Sequence, residues 1–514
     1  MRLVPAILLP SLGNVVFVAL LLVLVFVTGN RILNDGDTGY HIRTGEVILE
    51  TGRVPTKDIF SSHVPALKWT AHEWLAEVIM AIVFKSTGLT GVVLFFALLL
   101  SGTHWLLYWM LKSKSQSCIL VILVTLLAAA TSSSHWLARP HVFSILFTLV
   151  WVFLLDRFQY RNHHTLIYLP GLMVLWVNIH GGFFIGIVLL AIYITGNILH
   201  SLGGYPEQVR EHRKKAKILF CYLTITLAAC LINPIGAEIL LFPIKFTSDR
   251  FLMDRVIEFL SPNFHDVLPF KYMLLATIGV LAISRTSLNL IETALVLLFS
   301  YMALYSARHV SLFAIIVAPL LLKSSENALR NLPAPLINFY ELRNRNLTAI
   351  DGKVTGYLWP SLAIMLIVGL ALGGNLRFGF DEKRFPVAAV EFIMRENITG
   401  NMFNDDEFGD YIIFAAWPKY RVFMDGRSDM YGENLGAPYL RVVNAQRGWK
   451  DVLSQYKIDW IIFDTDSALS AALREQVDWH AVYSDNVATI FIRKDHQHES
   501  LLKKYPTVIF PTAK

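Results

Sequence analysis

Long apolar runs separated by short polar segments dominate residues 1–373 of the chain. The first, Leu12 to Thr28, holds no charged residue and no small-residue cleavage site follows it, which predicts an uncleaved spanning helix rather than a signal peptide. Further runs lie at Thr90 to Met110, Ile119 to Ala130, Val142 to Leu155, Thr165 to Val177, Phe183 to Leu199 and Ile218 to Ile232. After an interruption come Tyr272 to Ser284, Leu288 to Tyr305, Val310 to Leu322 and Tyr357 to Leu372. Together they predict about eleven spans. Several are shorter than the roughly 20 residues of a full span, so the helices extend into their polar flanks.

Beyond Gly373 the pattern changes. Ala388 to Glu396 has helical periodicity, and Met402 to Asn404, Val422 to Asp425, Trp460 to Asp464, His480 to Ser484 and Ala488 to Arg493 read as short strands separated by helices. The expected fold is therefore a polytopic α-helical membrane protein over residues 1–373, followed by an extracytoplasmic α/β domain over residues 374–514.

Composition agrees with lipid as the solvent: 54% of residues are hydrophobic and 16% charged, with a mean hydropathy of +0.50, outside the range of a soluble domain. Lys112 and Lys114, then Arg157 and Arg161, then Arg210, Arg213, Lys214, Lys215 and Lys217, then Lys323, Arg330, Arg343 and Arg345 fall in alternate loops, which are assigned to the cytoplasmic side. The first loop (residues 30–73) and the C-terminal domain are then outside. The net charge of +6 resides largely in cytoplasmic loops, where anionic lipid headgroups are a sufficient partner; nucleic acid is excluded. Cys118, Cys221 and Cys230 all lie in apolar runs, so no disulfide framework is indicated.

Each outer turn carries a polar group. The first loop has Asp35, Asp37, His41, Arg43, His72 and Glu73; the second turn, "HWLARPH", has Arg139 and His141; the third, "NIHGG", has His180. Glu258 lies in the fourth and Arg308 and His309 in the fifth. Such residues at the ends of packed membrane helices are costly unless they meet water or each other, which points to one outward-facing cavity. Blander readings stand beside this one. Asp35 and Asp37 suit a helix start, Arg139 and Arg308 suit snorkelling cations, and His180 suits a helix-end packing role. His72 and Glu73 precede Trp74, an interfacial anchor by type. "DGDTG" lacks the later ligands of an EF-hand loop. Asp425, Arg427 and Asp429 follow a predicted strand in "FMDGRSDMYG", where ligands of α/β domains gather, although the turn is equally a structural corner. The chemistry that fits is transfer from a phosphate-linked lipid: Arg and His face the anionic leaving group, and a carboxylate takes the proton of an acceptor hydroxyl or amide.

The long first outer loop opening on an acid, the many spans and the C-terminal outer domain resemble the GT-C glycosyltransferases: oligosaccharyltransferase catalytic subunits, protein O-mannosyltransferases and aminoarabinose transferases. "DGDTGYHIRTGEVILETGRVP", "HEWLAE", "ARPHVFS", "NIHGGFFIG", "INPIGAEIL", "SARHVSLF" and "VFMDGRSDMYG" resemble, over nearly the whole chain, a group of bacterial polytopic members of that superfamily. The resemblance implies that Asp37, at the exit of the first span, is catalytic, with Asp35 completing an Asp-x-Asp pair. It implies a polyprenyl-phosphate sugar donor and a glycan, lipid or protein acceptor. Oligosaccharyltransferases carry a second acidic motif that helps hold a divalent metal. The matching segment here is "HWLARPH", without an acid, so a metal is left undetermined, with Arg139 and His141 as alternative neutralising groups. The Trp-Trp-Asp type acceptor motif is absent, which argues against transfer to asparagine of proteins. The competing class is a non-catalytic lipid or polysaccharide transport or assembly protein, which would place polar groups or broken helices near the midplane. Here they cluster at one edge.

Overall fold

The computed structural model describes residues 8–511 apart from 267 and 355, so the outermost ends of the two expected regions, 1–7 and 512–514, lie outside the described residues. Among the described residues, five helices are long and apolar enough to cross a membrane: Trp74–Lys112, Cys118–His135, His141–Arg161, Gly181–His200 and Ala307–Leu329. Five apolar helices are shorter: Leu12–Val27, Thr165–Ile179, Pro269–Ser284, Leu290–Tyr305 and Leu358–Leu372. The remaining expected run is the apolar half of helix Pro206–Ala229, whose first half is strongly basic. Trp151, Trp176, Tyr193, Phe96 and Phe299 are fully buried between these helices. In lipid, such contacts hold a bundle by close packing rather than by exclusion of water.

The run expected from Thr90 follows a break: the helix Trp74–Lys112 is interrupted at Gly88 (φ 65°, ψ −165°), a backbone conformation suited to glycine, and a further helical segment from Trp74 precedes it. The segment before the break packs against helix Asp37–Thr51, formed by the first loop. Glycine makes that approach possible: a Cβ on Gly45 would overlap the Glu77 carbonyl.

The C-terminal sheet has four strands, β1 (Asn401–Asn404), β2 (Ile458–Asp464), β3 (Trp479–Ser484) and β4 (Ala488–Arg493), in the order β1-β2-β4-β3. β1 and β2 are parallel, while β4 is antiparallel to both β2 and β3. The β3–β4 turn closes on Asp485, whose Oδ1 accepts from Val487 N–H and Ala488 N–H. Central β2 is covered on both faces, Trp460 and Ile462 entering one apolar cluster and Ile461 and Phe463 another. This two-sided burial explains its nearly unbroken apolar run.

The expected strand Val422–Asp425 is a correction: it does not join the sheet. Val422 instead makes an isolated parallel bridge with Ser61, donating to Phe60 O at 3.1 Å and accepting from Ser62 N–H at 2.9 Å. Asn404 closes the next peptides from the side, its Oδ1 accepting from Phe423 N–H and its Nδ2 donating to Met424 O, both at 2.7 Å. A side-chain amide thus replaces a strand partner. The same bridge fastens the first loop to the C-terminal part. Arg43 strengthens the joint by donating from Nε and Nη2 to Phe414 O at 2.8 and 2.6 Å.

Candidate active site

Asp37 is the first residue of helix Asp37–Thr51, where the helix dipole favours a carboxylate. Its N–H donates to Asp35 Oδ1 at 2.9 Å, a short turn that sets both acids on one side. They meet Arg139 from the second turn. Arg139 Nη2 lies 2.6 Å from Asp37 Oδ2, and Nη1 lies 2.7 Å from Asp35 Oδ2 and 2.6 Å from Glu258 Oε1. Thr38 Oγ1 donates to Ala138 O at 3.1 Å, holding the two turns in register.

A further acid, Asp410, reaches Asp37 from helix Asp406–Ala416 and is nearly fully buried. Three glycines admit it. A Cβ on Gly36 would lie 3.0 Å from Asp410 Cβ, one on Gly39 2.7 Å from Asp410 O, and one on Gly426 would overlap Asp37 Oδ1. Gly426 N–H donates to Asp410 Oδ1 at 3.0 Å.

Burial raises Asp37 to about 7, with Asp35 and Glu258 adding to the rise and Arg139 and a hydrogen bond from Asp410 opposing it. Asp410 is raised well above the carboxylate range, by burial first and then by Asp37 and Asp425, so it is the neutral member and donates its proton toward Asp37. Glu258 behaves oppositely. Burial raises it, but Arg139 and Arg308 outweigh that and pull it to about 2.

Glu73 forms a second focus. Its Oε2 is 3.7 Å from His41 Nε2, and its Oε1 is 3.5 Å from His180 Nε2 and 3.7 Å from His72 Nε2. His180 Nδ1 accepts from Gly182 N–H at 2.9 Å, so the neutral ring carries its proton on Nε2, facing Glu73. His41 Nδ1 meets Glu77 Oε1 at 3.1 Å. Burial raises Glu73 to about 7 against the pull of Arg308 and Arg139. Trp74 Nε1 donates to Asn178 Oδ1 at 2.7 Å and ties this corner to the third turn.

The expected residues divide. Asp35, Asp37, Arg139 and Glu258 form one cluster. His41, His72, Glu73 and His180 form the adjoining one, with His141 beside His180 at 6.4 Å between ring centres. Arg308 is half-buried over the Phe259 ring at 5.3 Å, with no carboxylate in ion-pair range among the described residues. Neighbouring His309 leaves its Nδ1 buried without a hydrogen-bond partner. Asp429 is exposed to solvent and interacts electrostatically with His72 and Arg427. Arg43 points away, to Phe414 O and Glu46.

Asp425 and Arg427 face each other rather than the Asp37 cluster. Arg427 Nε and Nη2 donate to Asp425 at 2.8 and 2.6 Å, and Nη1 lies 2.8 Å from Asp58 Oδ1. The rings of Trp69, Phe60 and Tyr40 enclose the guanidinium at 4.5, 5.1 and 5.9 Å.

Sequence reasoning missed Asp410, Glu77 and Asp58. Asp410 does leave a signal, as a lone acid inside the apolar stretch "FGDYIIF". Among the described residues, no group of three or more His, Cys, Asp or Glu side chains is arranged to hold a metal. The donor set explains this: the guanidinium of Arg139 stands where Asp35, Asp37 and Glu258 converge, and a divalent ion would have to displace it. These residues do not fit a metal.

No family model matches the chain, and no curated protein matches it. Among solved structures it is similar to the archaeal oligosaccharyltransferase AglB from Archaeoglobus fulgidus in complex with an inhibitory peptide and a dolichol-phosphate, at 11% identity and a TM-score of 0.54, covering 88% of this chain and 69% of that one. The apo form of the Archaeoglobus fulgidus oligosaccharyltransferase gives 11% identity and a TM-score of 0.55 over 94% and 75% of the two chains. The same enzyme tethered to an acceptor peptide containing the NVT sequon gives 12% and 0.53 over 88% and 68%. At such identities the likeness is one of fold alone: this chain shares the overall fold of the archaeal oligosaccharyltransferase.

Proposed function

We propose that the chain is a membrane glycosyltransferase with eleven spans that moves a sugar from a polyprenyl-phosphate-linked donor to an acceptor on the outer face of a bacterial inner membrane. The observation that carries this reading is Asp37, held near neutrality between Arg139 and Asp410 at one end of the helix bundle. A carboxylate poised near 7 is matched to taking a proton at physiological pH.

In the proposed step the acceptor hydroxyl or amide attacks the anomeric carbon and passes its proton to Asp37, while the bond from that carbon to the phosphate oxygen breaks. Polyprenyl phosphate leaves with the bonding electrons. Arg308 is the guanidinium with room for that phosphate, since Arg139 already faces three carboxylates. Arg139 instead keeps Asp37 in place and opposes its protonation. The likeness to a protein solved with dolichol-phosphate and an inhibitory peptide supports a lipid-linked donor. Glu73 with His41, His72 and His180, and Asp429 beyond them, form the wall offered to sugar hydroxyls.

The test is release of polyprenyl phosphate by the purified full chain from a panel of polyprenyl-phosphate sugars. Asp37→Asn should lose roughly 10²-fold or more, the scale of a general base, while Asp37→Glu retains part of the activity. Wild-type turnover in Asp37→Asn would remove this residue from the reaction.

A further inference from the structure

At the opposite end of the bundle, among the helix termini that carry basic loops, lies a cavity of about 320 Å³. It is walled by helices His141–Arg161, Phe184–His200, Leu290–Tyr305 and Val310–Leu329 and by the turn at Ser113 and Lys114. Its lining is divided in character. Toward the bundle interior it is apolar, with Val152, Leu295, Ile316 and Leu320, and at the mouth it is charged.

The charges at the mouth are not evenly matched. Lys114 pairs with Asp156, which also accepts from Tyr193 OH at 2.6 Å. Lys323 Nζ donates to both oxygens of Glu292 at 2.7 and 2.9 Å. Glu326 accepts from Ser115. The two arginines have no carboxylate of their own among the described residues. Arg161 Nη2 donates to Ser113 O at 2.7 Å, and the Arg157 guanidinium lies over the Phe153 ring at 5.1 Å with its Nε buried and without a hydrogen-bond partner. A buried donor left unmatched in this way is destabilising unless something supplies an acceptor. Guanidinium groups recognise phosphate oxygens by paired hydrogen bonds, and an apolar recess behind them suits hydrocarbon.

We infer that this cavity seats an anionic phospholipid, its phosphate between Arg157 and Arg161 and the first part of an acyl chain against Leu295 and Ile316. The inference does not depend on Asp37 or on glycosyl transfer. Its ligand is a structural or regulatory lipid at the end of the bundle remote from the carboxylates.

The full chain would be assembled in bilayer nanodiscs of phosphatidylcholine containing a minor share of phosphatidylglycerol, and retained lipid measured by native mass spectrometry. Phosphatidylglycerol should be retained about tenfold over its bulk share, and an Arg157→Gln, Arg161→Gln double variant should lose that enrichment, a tenfold change corresponding to about 1.4 kcal/mol. A single Arg157→Gln variant, monitored for an unchanged melting temperature, keeps the test open should the double variant misfold. Enrichment that is absent in the wild type, or that survives in both variants, overturns the inference. Inorganic phosphate displacing the lipid at low millimolar concentration would also overturn it, by showing a site for a soluble anion.

Discussion

Arg139 and Arg427 are both enclosed arginines that hold carboxylates brought from distant parts of the chain, yet they do so under different conditions. Arg427 faces two acids and three aromatic rings, with the three charged side chains no more than 1% exposed. Tyr431 OH donates to Asp425 at 2.7 Å, so little acceptor capacity is left over. Arg139 faces three acids whose side chains are 12 to 28% exposed, and a fourth acid, Asp410, lies behind Asp37. The first arrangement is closed to solvent, with two acids on one cation. The second sets three acids on one guanidinium and remains partly open to solvent, so its protonation state can change without unfolding. An ion pair therefore serves as a strut or as a poised acid according to stoichiometry and access, not according to the residue types involved.

The largest effect should come from breaking the strut. Arg427→Ala leaves Asp58 and Asp425 buried without a cation, which for a buried pair costs about 3–5 kcal/mol. Because Asp58 belongs to the first loop and Asp425 to the C-terminal part, the expected outcome is a large fall in melting temperature together with new protease sensitivity around residues 58–63. A variant that melts like wild type but uses acceptor poorly would return Arg427 to the substrate site.

How much of this was legible beforehand follows from chain distance. Asp35, Asp37, Arg139 and His180 could be read because each is a polar residue near the end of an apolar run, where lipid makes it conspicuous, and Glu258 because it lies in an outer loop. Their convergence could be argued from side alone. Asp58 could not, because "KDIFSSH" resembles any polar loop and its partner lies in another region of the chain. Asp410 is visible as an acid inside an apolar stretch, but Asp405, Asp406 and Glu407 just before it make the segment look like an ordinary helix start. The segment Val422–Asp425 has the residue types of a strand, and nothing local reveals that Asn404 and the first loop satisfy its backbone instead. Of the glycines, Gly36, Gly39 and Gly45 stand out in the sequence, but the neighbours they admit do not.

The poised cluster should respond to its cation in activity more than in stability. Arg139→Ala removes the group that opposes protonation of Asp37, so at pH 7 the base is largely protonated and turnover falls on the order of 10²-fold. The melting temperature should change less than in Arg427→Ala, because these partly exposed acids can take up protons or water. Chelators should leave wild-type turnover unchanged, since the guanidinium occupies the convergence point of the carboxylates. A chelator-sensitive enzyme restored by Mg²⁺ or Mn²⁺ would show that Arg139 moves aside for an ion.

The smallest and most specific effect concerns Asp410. Asp37 and Glu73 are both raised to about 7 from ordinary values of 3.8 and 4.5. Near pH 6 the folded protein therefore holds protons that the unfolded chain has released, and stability falls as pH rises from about 4 past 7. Activity runs the other way, since the base form of Asp37 appears above about 7. Neutral Asp410 lowers Asp37 by donating a hydrogen bond to it. Asp410→Ala removes that donor and should move the acid limb of the turnover profile to higher pH, with little change at the alkaline plateau. Asp410→Asn keeps a donor toward Asp37 and an acceptor for Gly426 N–H, so its limb should stay in place. If Asp410→Asn shifts the limb as far as Asp410→Ala, the contact acts through packing around Gly426 and not through the shared proton. If neither variant shifts it, Asp37 is not the group that titrates in turnover.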